Sequence, residues 1–160
     1  MKKIMLIVLC CVVQLKVYAS DIEKAQNNLL DGFHQAASEA NYDAYFGALT
    51  PQAIFLGTDA TERWTKDMFS DYVKPYFDKG IGWTYTPTKR LITQVNAEVA
   101  FFDELLHNDN YGQTRGSGVL VKTAKGWQIA QYNLSIPMPN DIAKLLVKQI
   151  RQYQKNEQRK

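Results

Sequence analysis

The chain has 160 residues, 46% hydrophobic and 12% aromatic, with 19 bases against 16 acids for a net charge of +3. That is room for one ordinary domain with a core of its own. Both cysteines, Cys10 and Cys11, and the bases Lys2, Lys3 and Lys16 fall in the first nineteen residues, so the remainder has no cysteine and sixteen bases against sixteen acids. This balance excludes a disulfide scaffold, a cysteine metal centre and the broad basic footprint of a nucleic-acid binder.

Residues 1–19 read as a secretory leader. Met1-Lys2-Lys3 is the positive start, Ile4 to Val13 the apolar run, and Val17-Tyr18-Ala19 the cleavage region before Ser20. The apolar run is shorter than the roughly 20 residues of a membrane span. The sequence therefore predicts an exported protein, periplasmic or secreted, with no integral span once cleaved. Three segments follow: a signal peptide over 1–19, a domain over 20–139, and an amphipathic helix with a basic tail over 140–160.

Ser20-Asp21-Ile22-Glu23 has the form of a capping box. The spacing of Ile22, Ala25, Leu29, Phe33, Ala36 and Ala40 predicts a helix to about Glu39, with His34 at the edge of the apolar stripe. Asn41 caps a short second helix, Tyr42 to Leu49, and Pro51 stops it. Ala53-Ile54-Phe55-Leu56 reads as a strand and Gly57-Thr58-Asp59 as a turn. Thr65 caps a third helix, Lys66 to Phe77, with Trp64 and Phe69 as a hydrophobic staple and Pro75 kinking or shortening its last turn.

The second half reads as sheet. Strands are expected at Trp83–Thr86, Arg90–Val95, Glu98–His107, Gln113–Thr123 and Trp127–Ile136, the last two joined by a tight turn at Lys125-Gly126. Asn140 then caps a final helix whose inner stripe is Ile142, Leu145, Leu146, Gln149, Ile150 and Tyr153. Helices first and antiparallel strands after give an α+β fold, a curved sheet wrapped around N-terminal helices, with a pocket at the open end of the cone.

Three stretches carry a family resemblance. They are Ile54–Asp59 with Glu62-Arg63-Trp64-Thr65, Arg115-Gly116-Ser117-Gly118-Val119-Leu120, and Gly126-Trp127 through Leu134-Ser135. With them, the chain from about Ile22 to Asp141 resembles the SnoaL-like branch of the NTF2-like superfamily, also called cystatin-like or ketosteroid-isomerase-like. The resemblance implies a cone-shaped α+β barrel, often dimeric through the outer sheet face. It spans isomerases, dehydratases, cyclases, epoxide hydrolases and non-catalytic binding modules. Catalytic members place Asp, Tyr, His or Arg on the inner wall, and no complete set transfers here by motif.

Three groups of residues are candidates for chemistry. Asp59 follows the first strand near the expected mouth, where an apolar setting would raise its pKa enough for a general base, and Trp64 offers an aromatic wall. Asp103 and His107 share one face of the central strand and suit acid–base work on an enolisable or hydratable substrate. Arg115, flanked by Gly116 and Gly118, suits a carboxylate or a polarised carbonyl. The ligand pocket is expected to be lined by Trp64, Phe101, Arg115, Gln131 and Asn133. With only His34 and His107 beyond the leader, no metal site is expected, and no cofactor. Two functions stay open. The first is an exported domain binding a small, partly apolar molecule. The second is a small isomerase, cyclase or dehydratase using Asp59, or Asp103 with His107, and Arg115. A homodimer through the sheet fits both.

Overall fold

The computed structural model describes residues 2–158, with side chains from Ser20 onward. The elements in chain order are α1 (Lys2–Ser38), α2 (Tyr42–Gly47), β1 (Leu49–Leu56), β2 (Arg63–Thr65), α3 (Lys66–Phe77), β3 (Thr86–Gln94), β4 (Val99–Asn108), β5 (Gly112–Thr123) and β6 (Gly126–Ser135). A short 3-10 turn at Asn140–Ile142 leads into α4 (Ala143–Glu157). The leader's side chains and the last two bases, Arg159 and Lys160, lie outside the described residues. No helix among the described residues is long and apolar enough to cross a membrane.

Six strands form one sheet in the order β2-β1-β6-β5-β4-β3. The three hairpin-linked pairs β3–β4, β4–β5 and β5–β6 are antiparallel, as the turn signals predict. The β1–β6 pair is parallel, with Phe55 opposite Tyr132, so the sheet is mixed rather than wholly antiparallel. The chain leaves β1 through β2 and α3, runs through the hairpins, and returns beside β1 last, as β6.

The stripe that α1 buries is Gln26, Leu30, Phe33, His34 and Ala37, with Ala36 beside it. It is rotated from the expected one, because Ala25 is exposed and two polar residues, Gln26 and His34, take inward positions. The helix also runs through Ser20, so the expected cap there is not used in the uncleaved chain. Asn41 caps α2 as expected, its side chain accepting from the Ala44 amide at 3.1 Å. Thr65 likewise caps α3 through the Met68 amide. Phe69, Val73 and Phe77, four residues apart, form the buried edge of α3, while Met68, Tyr72 and Tyr76 stay exposed. Trp64 stacks on Tyr72 and packs against the core cluster to which Phe69 belongs. Pro75 is carried inside the last turn, and the helix ends at Phe77.

Rings fill the space between helices and sheet. Phe33 stacks on Tyr45 at 4.4 Å, Phe55 on Phe69 at 4.0 Å, and Tyr132 meets both Phe33 and Phe55. Alternation on β4 fixes which sheet face is concave. Ala100, Phe102, Glu104, Leu106 and Asn108 are buried under the helices, whereas Phe101, Asp103 and His107 are exposed on the convex side.

The last helix departs from expectation. Its apolar stripe is not inward: Ile142, Leu145, Ile150 and Tyr153 are exposed, and α4 has no buried residue. Residues Trp83 to Tyr85, expected in a strand, form an irregular approach to β3, pinned where the Trp83 amide donates to the Ala37 carbonyl at 3.1 Å.

Candidate functional site

The register of the sheet builds a charged cluster on the concave face. Arg90, Glu104 and Gly116 sit side by side on β3, β4 and β5. Glu104 is fully buried; its Oε2 accepts from Arg90 Nε at 2.7 Å, and its Oε1 accepts from His34 Nε2 at 2.7 Å and Tyr132 Oη at 3.0 Å. Gly116 makes this geometry feasible, since a Cβ there would collide with the Tyr132 hydroxyl and stand 2.8 Å from Glu104 Oε1. The room that Gly116 leaves is thus taken by the reach of Tyr132 from β6. Arg90 extends the cluster outward, with Nη1 donating to Asp31 at 2.7 Å and to Asn27.

Burial would push the Glu104 carboxyl up, but the hydrogen bond and charge of His34, with those of Arg90, hold it below the usual carboxylate range. Glu104 is therefore an ionised acceptor, and the imidazole Nε2 and the phenol donate to it. Burial first, then the Glu104 charge, drives the Tyr132 hydroxyl well above its ordinary value, so it stays neutral. Both carboxylate oxygens are engaged by protein donors. Arg90 Nη2 and Thr114 Oγ1 are buried without a partner among the described residues.

Above this floor lies an open cleft of about 320 Å³. Phe55 of β1, Phe69 and Tyr72 of α3, and Trp64 of β2 form one wall. Trp83 and Tyr85 from the approach to β3, with Asn108 at the end of β4 and Asn110 and Tyr111 in the turn after it, form the other, and Leu134 lines the cleft from β6, the strand paired with β1. Gly57, Thr58 and Glu62 complete the rim. Asn108 ties this wall together. Its Nδ2 donates to the Thr84 carbonyl at 2.9 Å, and its Oδ1 accepts the Asn110 and Tyr111 amides at 3.0 Å. One buried amide thereby orients both the loop that carries Tyr85 and the turn that carries Tyr111.

Between cleft and floor is a gap of only about 20 Å³, where Phe55, Trp83, Tyr85 and Leu134 meet His34 and Tyr132. It is too small for an organic ligand. A depression of about 290 Å³ on the flank, between α1 and the start of β3, touches the other side of His34.

The residues expected to act are spread over separate places. Trp64 lines the cleft. Asp59 is exposed in the β1–β2 turn, where its Oδ1 accepts from the Thr61 hydroxyl at 2.6 Å and amide at 2.8 Å. Those two bonds lower its pKa, the opposite of what a general base near neutrality needs. Asp103 and His107 do share a face, but it is the convex one, and His107 lies 3.3 Å from Asp109 rather than beside Asp103. Arg115 is exposed opposite Leu105, and Phe101 is 49% exposed on the same side. Gln131 and Asn133 alternate with inward Tyr132 and so also face away from the cleft. The structure brings none of Phe101, Asp103, His107, Arg115, Gln131 and Asn133 to the cleft. The residues it assembles instead are Glu104, Arg90, His34 and Tyr132. Their sequence signal is a glutamate in the apolar parity of β4, between Phe102 and Leu106.

The sequence matches the SnoaL-like domain family over residues 27–139, more than half of the chain. The chain belongs to that family. Solved structures give this SnoaL-like domain its fold relatives. One is an NTF2-like protein of unknown function from Pseudomonas putida, with TM-score 0.63 and 10% identity over 76% of this chain and 90% of that one. Another is a cystatin-like domain of unknown function from Nostoc punctiforme, with TM-score 0.63 and 13% identity over 86% and 97%. A ketosteroid isomerase-like protein from Erwinia carotovora aligns with TM-score 0.53 and 21% identity over 71% and 94%. No curated protein matches the SnoaL-like domain in sequence. At these identities the structural likenesses establish the fold.

Proposed function

We propose that this SnoaL-like domain is an exported module that holds one small, partly apolar organic molecule in its concave cleft and does no chemistry on it. The observation that carries the reading is the aromatic cleft of about 320 Å³ above a charged floor whose carboxylate is already saturated by His34, Tyr132 and Arg90. That volume is at the small end of organic ligand sites. A buried acid held ionised and fully bonded is a rigid support, whereas a catalytic acid or base must exchange its proton with a substrate. The acid–base alternative through Asp59, or Asp103 with His107, lacks a cavity that two of these groups share.

Calorimetry with a panel of small neutral, anionic and cationic aromatic compounds tests this reading. At least one member should bind with one-to-one stoichiometry, and Leu134→Trp, which fills the cleft, should weaken it by about tenfold or more, equivalent to about 1.4 kcal/mol. Binding by no member, or binding indifferent to Leu134→Trp, contradicts it. The exported location rests on the leader. Protein recovered from its own host should begin at Ser20; an intact Met1 removes that part of the proposal.

A further inference from the structure

The rim of the cleft combines many rings with one charge. Seven aromatic side chains line it, and among the described residues Glu62 is the one ionisable acid there, with no lysine, arginine or histidine to answer it. Trp64 and Tyr72 stack with centroids 5.1 Å apart, forming a continuous π surface on the α3 side. Tyr111 faces them from the β4–β5 turn, held by Asn108. Glu62 is folded over Gly57, where a Cβ would strike its carboxylate, so the glycine makes room for the acid at the rim. One Glu62 oxygen accepts the Asp59 amide at 3.1 Å, and no hydrogen bond or ion pair among the described residues engages the other. The Tyr72 hydroxyl is held above its usual range, by burial first and then by Tyr76 and the Glu62 charge, so it stays a neutral neighbour of the carboxylate.

Ring faces carry negative quadrupole potential, and a carboxylate beside them adds a full negative charge; both attract a cation and neither favours an anion. A bare metal ion would demand more oxygen ligands than this rim offers, and no group of acids and histidines among the described residues is arranged for one. The chemistry that uses both features is an alkylated nitrogen, whose charge is spread over apolar methyl or methylene groups. We infer that the occupant of the cleft is a free organic ammonium compound, its cationic head seated among Trp64, Tyr72 and Tyr111 with Glu62 as counter-ion, and its apolar part directed toward Phe55 and Leu134. This inference rests on the binding function proposed above and narrows its ligand class.

Phenyltrimethylammonium and its neutral isostere tert-butylbenzene, with benzoate as the anion, separate the two levels. The cation should bind the intact domain about tenfold more tightly than the neutral probe, in line with cation–π and counter-ion terms together. Glu62→Gln, which keeps the shape, should lower affinity for the cation about fivefold while leaving tert-butylbenzene unaffected. Tyr111→Ala provides a second variant at a residue 55% exposed, where folding is not at stake, and should also weaken the cation selectively. Equal or tighter binding of tert-butylbenzene or benzoate overturns the ammonium assignment and leaves the cleft as a binding site. Glu62-dependent binding to phosphatidylcholine vesicles without binding of the free probe overturns the assignment to a free compound. Failure of every probe, with the wider panel also silent, overturns the binding function itself.

Discussion

Glu104 carries the heaviest electrostatic commitment in the domain. It is fully buried, and its charge is compensated by Arg90 and hydrogen-bonded by His34 and Tyr132. Removing the charge from such a pair leaves Arg90 buried beside a neutral group, which typically costs about 3 kcal/mol. Glu104→Gln should therefore lower the urea unfolding free energy by about that amount at neutral pH. The pH dependence has a definite sign. The folded-state pKa of Glu104 is lowered, so its contribution is fully present above the unfolded-state value of about 4.3 and is lost as pH falls through the folded-state value. Wild-type stability should thus drop below about pH 4 more steeply than that of Glu104→Gln. Parallel acid profiles for the two proteins would show that Glu104 is not ionised in its buried site. The sequence contained part of this. Strand alternation put Glu104 on one face with Phe102 and Leu106, and Asp103 with His107 on the other. Alternation alone does not say which face the helices cover, and the partners His34 and Arg90 come from 70 and 14 positions away.

At the scale of elements, local rules were legible and tertiary rules were not. The caps at Asn41 and Thr65 and the limits of α3 follow from side-chain chemistry within four residues. The parallel pairing of β1 with β6 depends on chain return over more than seventy residues, which no local pattern encodes. The α1–α2 junction holds a further consequence. Ala40 has φ of +52°, the left-handed region in which a Cβ is crowded, just after the end of α1. Ala40→Gly relieves that crowding and should raise stability by about 0.5–1 kcal/mol in chemical denaturation. A loss of stability would show that Ala40, half-buried against the core, matters more for packing than for its backbone. The exposed stripe of α4 has a different origin. Periodicity reveals that a helix is amphipathic but not what its apolar face meets.

For the whole molecule, the cone follows from helices before hairpins and from one sheet face rich in aromatics. The site was legible only as far as its mouth. Trp64 and the β1–β2 turn lie there, while the wall built by Trp83, Tyr85, Asn108 and Tyr111 depends on how two loops converge. In the proposed function a ligand enters the concave cleft and not the convex face. Amide chemical-shift mapping during titration with the tightest-binding compound of the panel tests it most directly. The expected result is a set of perturbations confined to Phe55 through Trp64, Tyr72, Trp83 through Tyr85 and Asn108 through Tyr111. Perturbations centred on Phe101, Asp103, Arg115, Gln131 and Asn133 would contradict it and move the site to the outer face of the sheet.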